Sequence, residues 1–213
     1  MNQIAKRNSV KQVLSKYGLY TVFCVLVFVL CFTNKNFLTF SNFMLILQQM
    51  APFGVATIGM ILVLITGGID ISVGRVMFIS GGVVGEIIAA APPALMNSPW
   101  LFAVCFGVAI IVGGIFGTIN GVLITKLKIF PFMATLLVGY IARGLGLTIA
   151  GVTKYDVAIL GNIANSRVLG IPVAFLIFLG IAIIGNIILR STTYGKHMMA
   201  IGNNKTAAGQ IGI

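Results

Sequence analysis

Asp70 stands at the centre of the stretch Gly67-Gly68-Ile69-Asp70-Ile71-Ser72-Val73-Gly74-Arg75, after 34 residues without a charge, Asn36 to Ile69. A second apolar run begins at Val76. An Asp at mid-bilayer costs about 2.5–3.5 kcal/mol on insertion scales, so this carboxylate must face water, protein or a cavity. Gly67, Gly68 and Gly74 let the backbone turn sharply or approach another helix closely. Two arrangements satisfy both demands. One is a tight cytoplasmic turn between two helices. The other is a re-entrant segment lining a translocation path, because non-helical backbone at membrane depth survives only where it lines a cavity or is buried in protein. Gly67, Gly68, Asp70, Ser72 and Gly74 are the candidate path residues, with Arg75 a potential partner for Asp70.

Two further charges fall inside apolar runs, Glu86 and Arg143. Counted from the starts of their runs they lie about 15 and 18 Å deep at 1.5 Å per residue. A pair between them would lower the cost of burying each; the alternatives are that Arg143 snorkels outward and that Glu86 is protonated or faces a cavity. Catalytic and metal-binding sets are missing. The chain has one histidine, His197, read as a surface residue, and neither His-Glu-x-x-His nor Gly-x-Ser-x-Gly. Cys24, Cys31 and Cys105 lie in apolar runs and read as small core hydrophobes.

Composition says what positions these residues. Hydrophobic residues make up 59% of the chain and charged ones 8%, and the mean hydropathy is +1.10. Soluble domains carry roughly 25% charged residues, so the chain reads as an all-α, polytopic membrane protein surrounded by lipid. Its net charge of +11 does not imply nucleic acid, because the basic residues fall between apolar runs and form no stripe.

About six transmembrane helices are expected, at 17–34, 43–66, 76–91, 100–125, 131–150 and 168–189, together forming a transmembrane domain over 17–189. A basic tail, 1–16, precedes them and a polar, glycine-rich segment, 190–213, follows. The first run is too long for a signal-peptide core and no small-x-small site follows it, so it is read as uncleaved. Ser41 or Asn42 is the expected cap of the second helix, which the amides of Gln48 and Gln49 and the ring of Pro52 interrupt. Trp100 opens the fourth at an interfacial position. Gly113, Gly117 and Gly121 give that helix a flat face for close packing. Pro131 opens the fifth where its missing N–H costs nothing.

Six spans place both ends on one side. Lys6, Arg7, Lys11, Lys16, Arg75, Lys126, Lys128, Arg190, Lys196 and Lys205 would share that side, against Lys35, Lys154 and Arg167 on the other. The excess of Lys and Arg makes the first side, and both ends, cytoplasmic.

Three blocks in order carry a resemblance: Thr66 to Gly74; Ile119-Asn120-Gly121 with Pro131-Phe132-Met133-Ala134-Thr135-Leu136 and Arg143-Gly144; and Tyr194-Gly195-Lys196 with Ala200 to Ala208 and Gly212-Ile213. From about Tyr17 onward the chain resembles the permease subunits of ribose/xylose/galactose-type sugar ATP-binding-cassette importers. It departs at Asn203, where the family usually has glycine, and at Ile211, where it usually has serine. Such permeases continue into further helices, so the resemblance implies a chain truncated at its C-terminal side.

The resemblance implies a conduit in the inner membrane that needs no cofactor of its own. Its partners would be a cytoplasmic ATP-binding subunit, an extracytoplasmic sugar-binding protein and a second permease chain. No Gly-x-x-x-x-Gly-Lys-Ser/Thr loop occurs, which agrees with ATP hydrolysis by a separate subunit. Gly202, Asn203, Asn204, Thr206, Ala207, Ala208 and Gly212 would form the coupling segment. A monosaccharide site combines amide, hydroxyl and aromatic groups, for which Gln48, Gln49, Asn120, Phe132 and Thr135 are candidates. Alternatives are a permease of a related importer for branched-chain amino acids, and a stand-alone carrier, which would show inverted repeats or a carboxylate relay.

Overall fold

The computed structural model describes residues 2–96, 98–151, 161 and 165–212, with side chains from Tyr17 onward. Lys154 and Ile213, and the side chains of Lys6, Arg7, Lys11 and Lys16, lie outside the described residues. Among the described residues the chain forms α1 (Asn2–Thr33), α2 (Phe40–Ile65), α3 (Val73–Ala90), α4 (Pro99–Thr125), α5 (Pro131–Ala150), α6 (Val173–Ser191), α7 (Thr193–Asn203) and α8 (Lys205–Gln210). A 3-10 turn, Pro93–Leu95, precedes α4, and a two-residue antiparallel pair, β1 (Arg167–Val168) with β2 (Ile171–Pro172), precedes α6.

Five helices, α2 to α6, are long and apolar enough to cross a membrane. This is an all-α, polytopic membrane fold. The first expected span corresponds to Tyr17–Thr33, a shorter apolar stretch within α1. The last starts at Val173 rather than 168, because Leu169 and Gly170 at φ 52° and 83° turn the chain between β1 and β2.

The chain divides into two compact units, 1–47 and 48–213. In the first, Thr39 rather than Ser41 or Asn42 starts α2, its hydroxyl accepting the Asn42 N–H at 3.3 Å. The Asn42 amide instead donates to the Phe37 carbonyl at 2.8 Å. Pro52 does not break α2, which continues through it to Ile65.

In the second unit α3, α4 and α5 form the packed centre. Glycine positions set the register of α3 on α5. A Cβ at Gly139 would come within 3.2 Å of the Ser72 Cα, one at Gly146 within 3.3 Å of the Ile79 Cα, and one at Gly82 within 2.9 Å of the Ala150 Cβ. Ascending numbers meet ascending numbers, so α3 and α5 run parallel. Thr135, Gly139, Ala142, Gly146 and Ala150, spaced three or four apart, are all buried on one face of α5, with Val138 beside Gly139. Helix α4 runs antiparallel to both and packs against each of them. Ile79 packs with Phe116, Val138 and Ala142, and Ile88 packs with Leu101 and Cys105 farther along. Cys105 is thus a core residue, as its surroundings in the sequence suggest.

The glycine row on α4 is a different matter. Nothing lies within 4 Å of a Cβ built at Gly113, Gly117 or Gly121. The close helix approach expected of these three occurs at Gly82, Gly139 and Gly146 instead. Overpacking a tight contact costs about 1–3 kcal/mol, so Gly146→Leu should lower the melting temperature of the purified chain in detergent. Gly113→Ala, with open space around it and a better helix former introduced, should leave it unchanged or raise it.

Candidate functional site

The non-helical stretch between α2 and α3 begins with a helix stop. The Gly67 N–H donates to the Leu64 carbonyl at 3.0 Å and the Gly68 N–H to the Val63 carbonyl at 3.2 Å. With Gly67 at φ 76°, this is a Schellman cap, which favours glycine at the left-handed position. The chain then has backbone groups to satisfy; two side chains, Asp70 and Thr135, satisfy two of them, and Asn120 braces Ser72. Asp70 Oδ1 accepts the Ser72 N–H at 2.7 Å and the Ser72 hydroxyl at 2.6 Å. The Ser72 Oγ accepts from Asn120 Nδ2 on α4 at 2.9 Å. Thr135 Oγ1 on α5 accepts the Ile71 N–H at 3.2 Å and lies 3.0 Å from the Pro131 carbonyl, to which it donates. Ser72 and Thr135 are each 1% exposed and Asn120 6%.

These residues surround a pocket of about 290 Å³ lined by Thr66, Gly68, Asp70, Gly117, Asn120 and Thr135 among others. That is near the lower end of the roughly 300–1,000 Å³ usual for small-molecule sites. Gly117 and Gly121, which meet no helix, form part of this wall. The Asn120 Oδ1 is buried without a hydrogen-bond partner. The pocket is lined by the Asp70 carboxylate, a group suited to hydroxyl or amine donors.

The other candidates lie elsewhere. Gln48 Nε2 donates to Asn165 Oδ1 at 2.7 Å, and Gln48 and Gln49 line a separate cavity of about 420 Å³ with Pro52, Ala174 and Ile177. They are about 25 Å from Ile65 along α2 at 1.5 Å per residue. Phe132 is 42% exposed, outside the pocket wall. Arg75 does not serve Asp70; its guanidinium lies over the Tyr140 ring, 4.2 Å from the centroid. Gly74 lines another cavity with Arg75, Phe78, Arg143 and Leu147.

The Glu86–Arg143 pair expected from depth counting is not brought together. The parallel register sets Arg143 beside Phe78, whereas Glu86 lies a turn past the Gly82–Ala150 contact. Counting assumed that both helices begin at one level. In fact α5 begins lower, since Thr135, its fifth residue, meets Ile71, before the start of α3.

The 190–213 segment folds as two short helices. Thr192 caps α7 by accepting the Gly195 N–H at 3.2 Å, and Asn204 caps α8 by accepting the Ala207 N–H at 3.0 Å. A Cβ at Gly202 would collide with the Ile65 carbonyl oxygen at the end of α2. Gly202 is thus pressed against the last turn before the Gly67 stop. Ala208 is buried, whereas Asn203, Thr206 and Ala207 are exposed. Gly212 takes a left-handed conformation, φ 81°.

Residues 42–213 match the family described as branched-chain amino acid transport system / permease component. The chain belongs to this permease family. Among curated relatives, it is 35% identical to the ribose import permease protein RbsC of Bacillus subtilis (strain 168), over 95% of this chain and 62% of that one. It is 32% identical to the fructose import permease protein FruF of Bifidobacterium longum, over 97% of this chain and 61% of that one. It is 30% identical to the D-allose transport system permease protein AlsC of Escherichia coli (strain K12), over 93% and 60%. The chain therefore spans about six-tenths of the length of these relatives. No solved structure is a significant match. Membership of the permease family and the apolar spans identify a multi-pass inner-membrane protein.

Sequence reasoning missed the Arg75–Tyr140 stack, the small-residue face of α5 and the contact of Gly202 with Ile65. The α5 face was open to detection, since Gly139, Ala142, Gly146 and Ala150 recur at helical spacing; the other two depend on tertiary register. Removing the Asp70 carboxylate leaves two donors on Ser72 without their acceptor. Asp70→Leu should lower stability in detergent by about 1.5–3 kcal/mol. Asp70→Asn, which keeps a carbonyl oxygen, should lose about half as much.

Proposed function

We propose that the chain is a translocation component of an ATP-driven importer of monosaccharides. The observation that carries this reading is the set of relatives, named for import of ribose and fructose and transport of allose, that match the chain almost end to end. The pocket agrees with it: Asp70 lines it with Asn120 and Thr135, a polar patch inside an otherwise apolar helix bundle. The family's description instead names branched-chain amino acids. Their apolar side chains and paired ammonium and carboxylate groups fit a pocket with one acid and no base among its described residues less well.

Energy would come from a separate cytoplasmic ATP-binding subunit, substrate from an extracytoplasmic sugar-binding protein, and the rest of the pathway from a second permease chain. Both ends of the chain are assigned to the cytoplasm by the Lys and Arg excess on that side. Helices α7 and α8 form the docking surface for the ATP-binding subunit, with Asn203, Thr206 and Ala207 exposed to it. Gly202 against Ile65 then supplies a direct link from that surface to the Gly67–Ser72 segment.

The test is uptake of labelled ribose, fructose, allose and leucine into proteoliposomes holding the chain with its ATP-binding and binding-protein partners. Uptake of a sugar should require ATP and both partners. Gly202→Val should lower it by roughly tenfold or more, the loss expected for about 1.4 kcal/mol of coupling. Uptake without ATP or partners, or uptake of leucine alone, would overturn the reading.

A further inference from the structure

A second cavity, of about 310 Å³, is lined by Gly74, Arg75, Phe78, Arg143 and Leu147. Two arginines line it, and among the described residues no carboxylate does. Asp70 is turned to Ser72 and lines the other pocket. Arg75 stacks on Tyr140, yet its Nη1 is buried without a hydrogen-bond partner. Arg143 is exposed at the same cavity.

Arginine keeps its proton in proteins, so both charges persist. Two cations between apolar walls repel, and more strongly as the local dielectric falls. The Tyr140 ring face offsets this for Arg75 alone. What answers both is an anion with several acceptor oxygens, and the guanidinium fork matches phosphate geometry.

The surroundings select the source of that phosphate. Phe78, Tyr140 and Leu147 are 42%, 58% and 46% exposed on helices that cross the membrane, so acyl chains lie against this face. Arg75 is in the first turn of α3, and the Asn120 end of α4 next to it leads to Lys126 and Lys128. Basic pockets between helices near such an end suit anionic headgroups. We propose that Arg75 and Arg143 bind the phosphate of an anionic phospholipid, whose chains rest on Phe78, Tyr140 and Leu147. This site is separate from the Asp70 pocket and stands whether or not the cargo is a sugar.

The test uses the purified, delipidated chain in detergent with three probes: dioleoylphosphatidylglycerol, dioleoylphosphatidylcholine and sodium phosphate. Native mass spectrometry and thermal unfolding report binding. Both lipids carry the phosphodiester, but phosphatidylcholine adds a trimethylammonium that two guanidiniums repel, so phosphatidylglycerol should bind roughly tenfold or more tighter. Arg143→Gln, at an exposed position, should bring the two within about twofold, and Arg143→Lys should keep most of the preference. Equal binding of the two lipids by the unmodified chain would overturn the proposal, as would a preference unchanged in Arg143→Gln. A thermal shift reproduced by sodium phosphate alone would overturn the lipid source, leaving a free-anion site. Should Arg143→Gln fail to fold, the three-probe comparison on the unmodified chain and on Arg143→Lys decides.

Discussion

Seven non-helical residues, Thr66 to Ser72, lie between two membrane-spanning helices, and those of their backbone groups that are buried must find partners. In an apolar medium each unsatisfied N–H or C=O costs several kcal/mol. Asp70 folded back on Ser72 takes the Ser72 N–H, and Thr135 takes the Ile71 N–H from α5, while Asn120 holds the Ser72 hydroxyl from α4. Three helices are therefore tied to one loop. The register of α3 against its neighbours begins at this knot, and the contacts at Gly139, Gly146 and Gly82 continue it upward turn by turn.

The same knot adjoins the contact between α7 and α2. The Schellman turn at Gly67 ends α2 directly above the place where Gly202 meets Ile65. A force applied to α7 has a short route through backbone contact to the Asp70 carboxylate, with no flexible side chain between. Glycine at 202 is what permits that contact, since any Cβ would displace α7 from α2. The pocket behind Asp70 keeps one unanswered oxygen, on Asn120.

Much of this was legible in the chain itself. Hydrophobic run lengths gave the spans, Pro131 gave the start of α5, and the Gly-Gly-Ile-Asp-Ile-Ser stretch, Asn120 and Thr135 could be picked out before their meeting was known. What the runs do not encode is which face of a helix meets which neighbour, and at what height. For that reason the glycine row at 113, 117 and 121 looked like a packing seam but lines open space and a pocket wall. Glu86 and Arg143 looked level because each was measured from its own helix start. Gln48 and Gln49, polar and adjacent, belong to a cavity some five turns away along α2.

The most direct check on the knot is a double-mutant cycle between Ser72→Ala and Asn120→Leu, read from reversible unfolding of the chain in detergent. If the two side chains act as a unit, the double variant loses less stability than the sum of the single ones, by about 0.5–3 kcal/mol. Losses that add to within about 0.3 kcal/mol would mean that the loop is not held from α4, and the account built on it would be wrong.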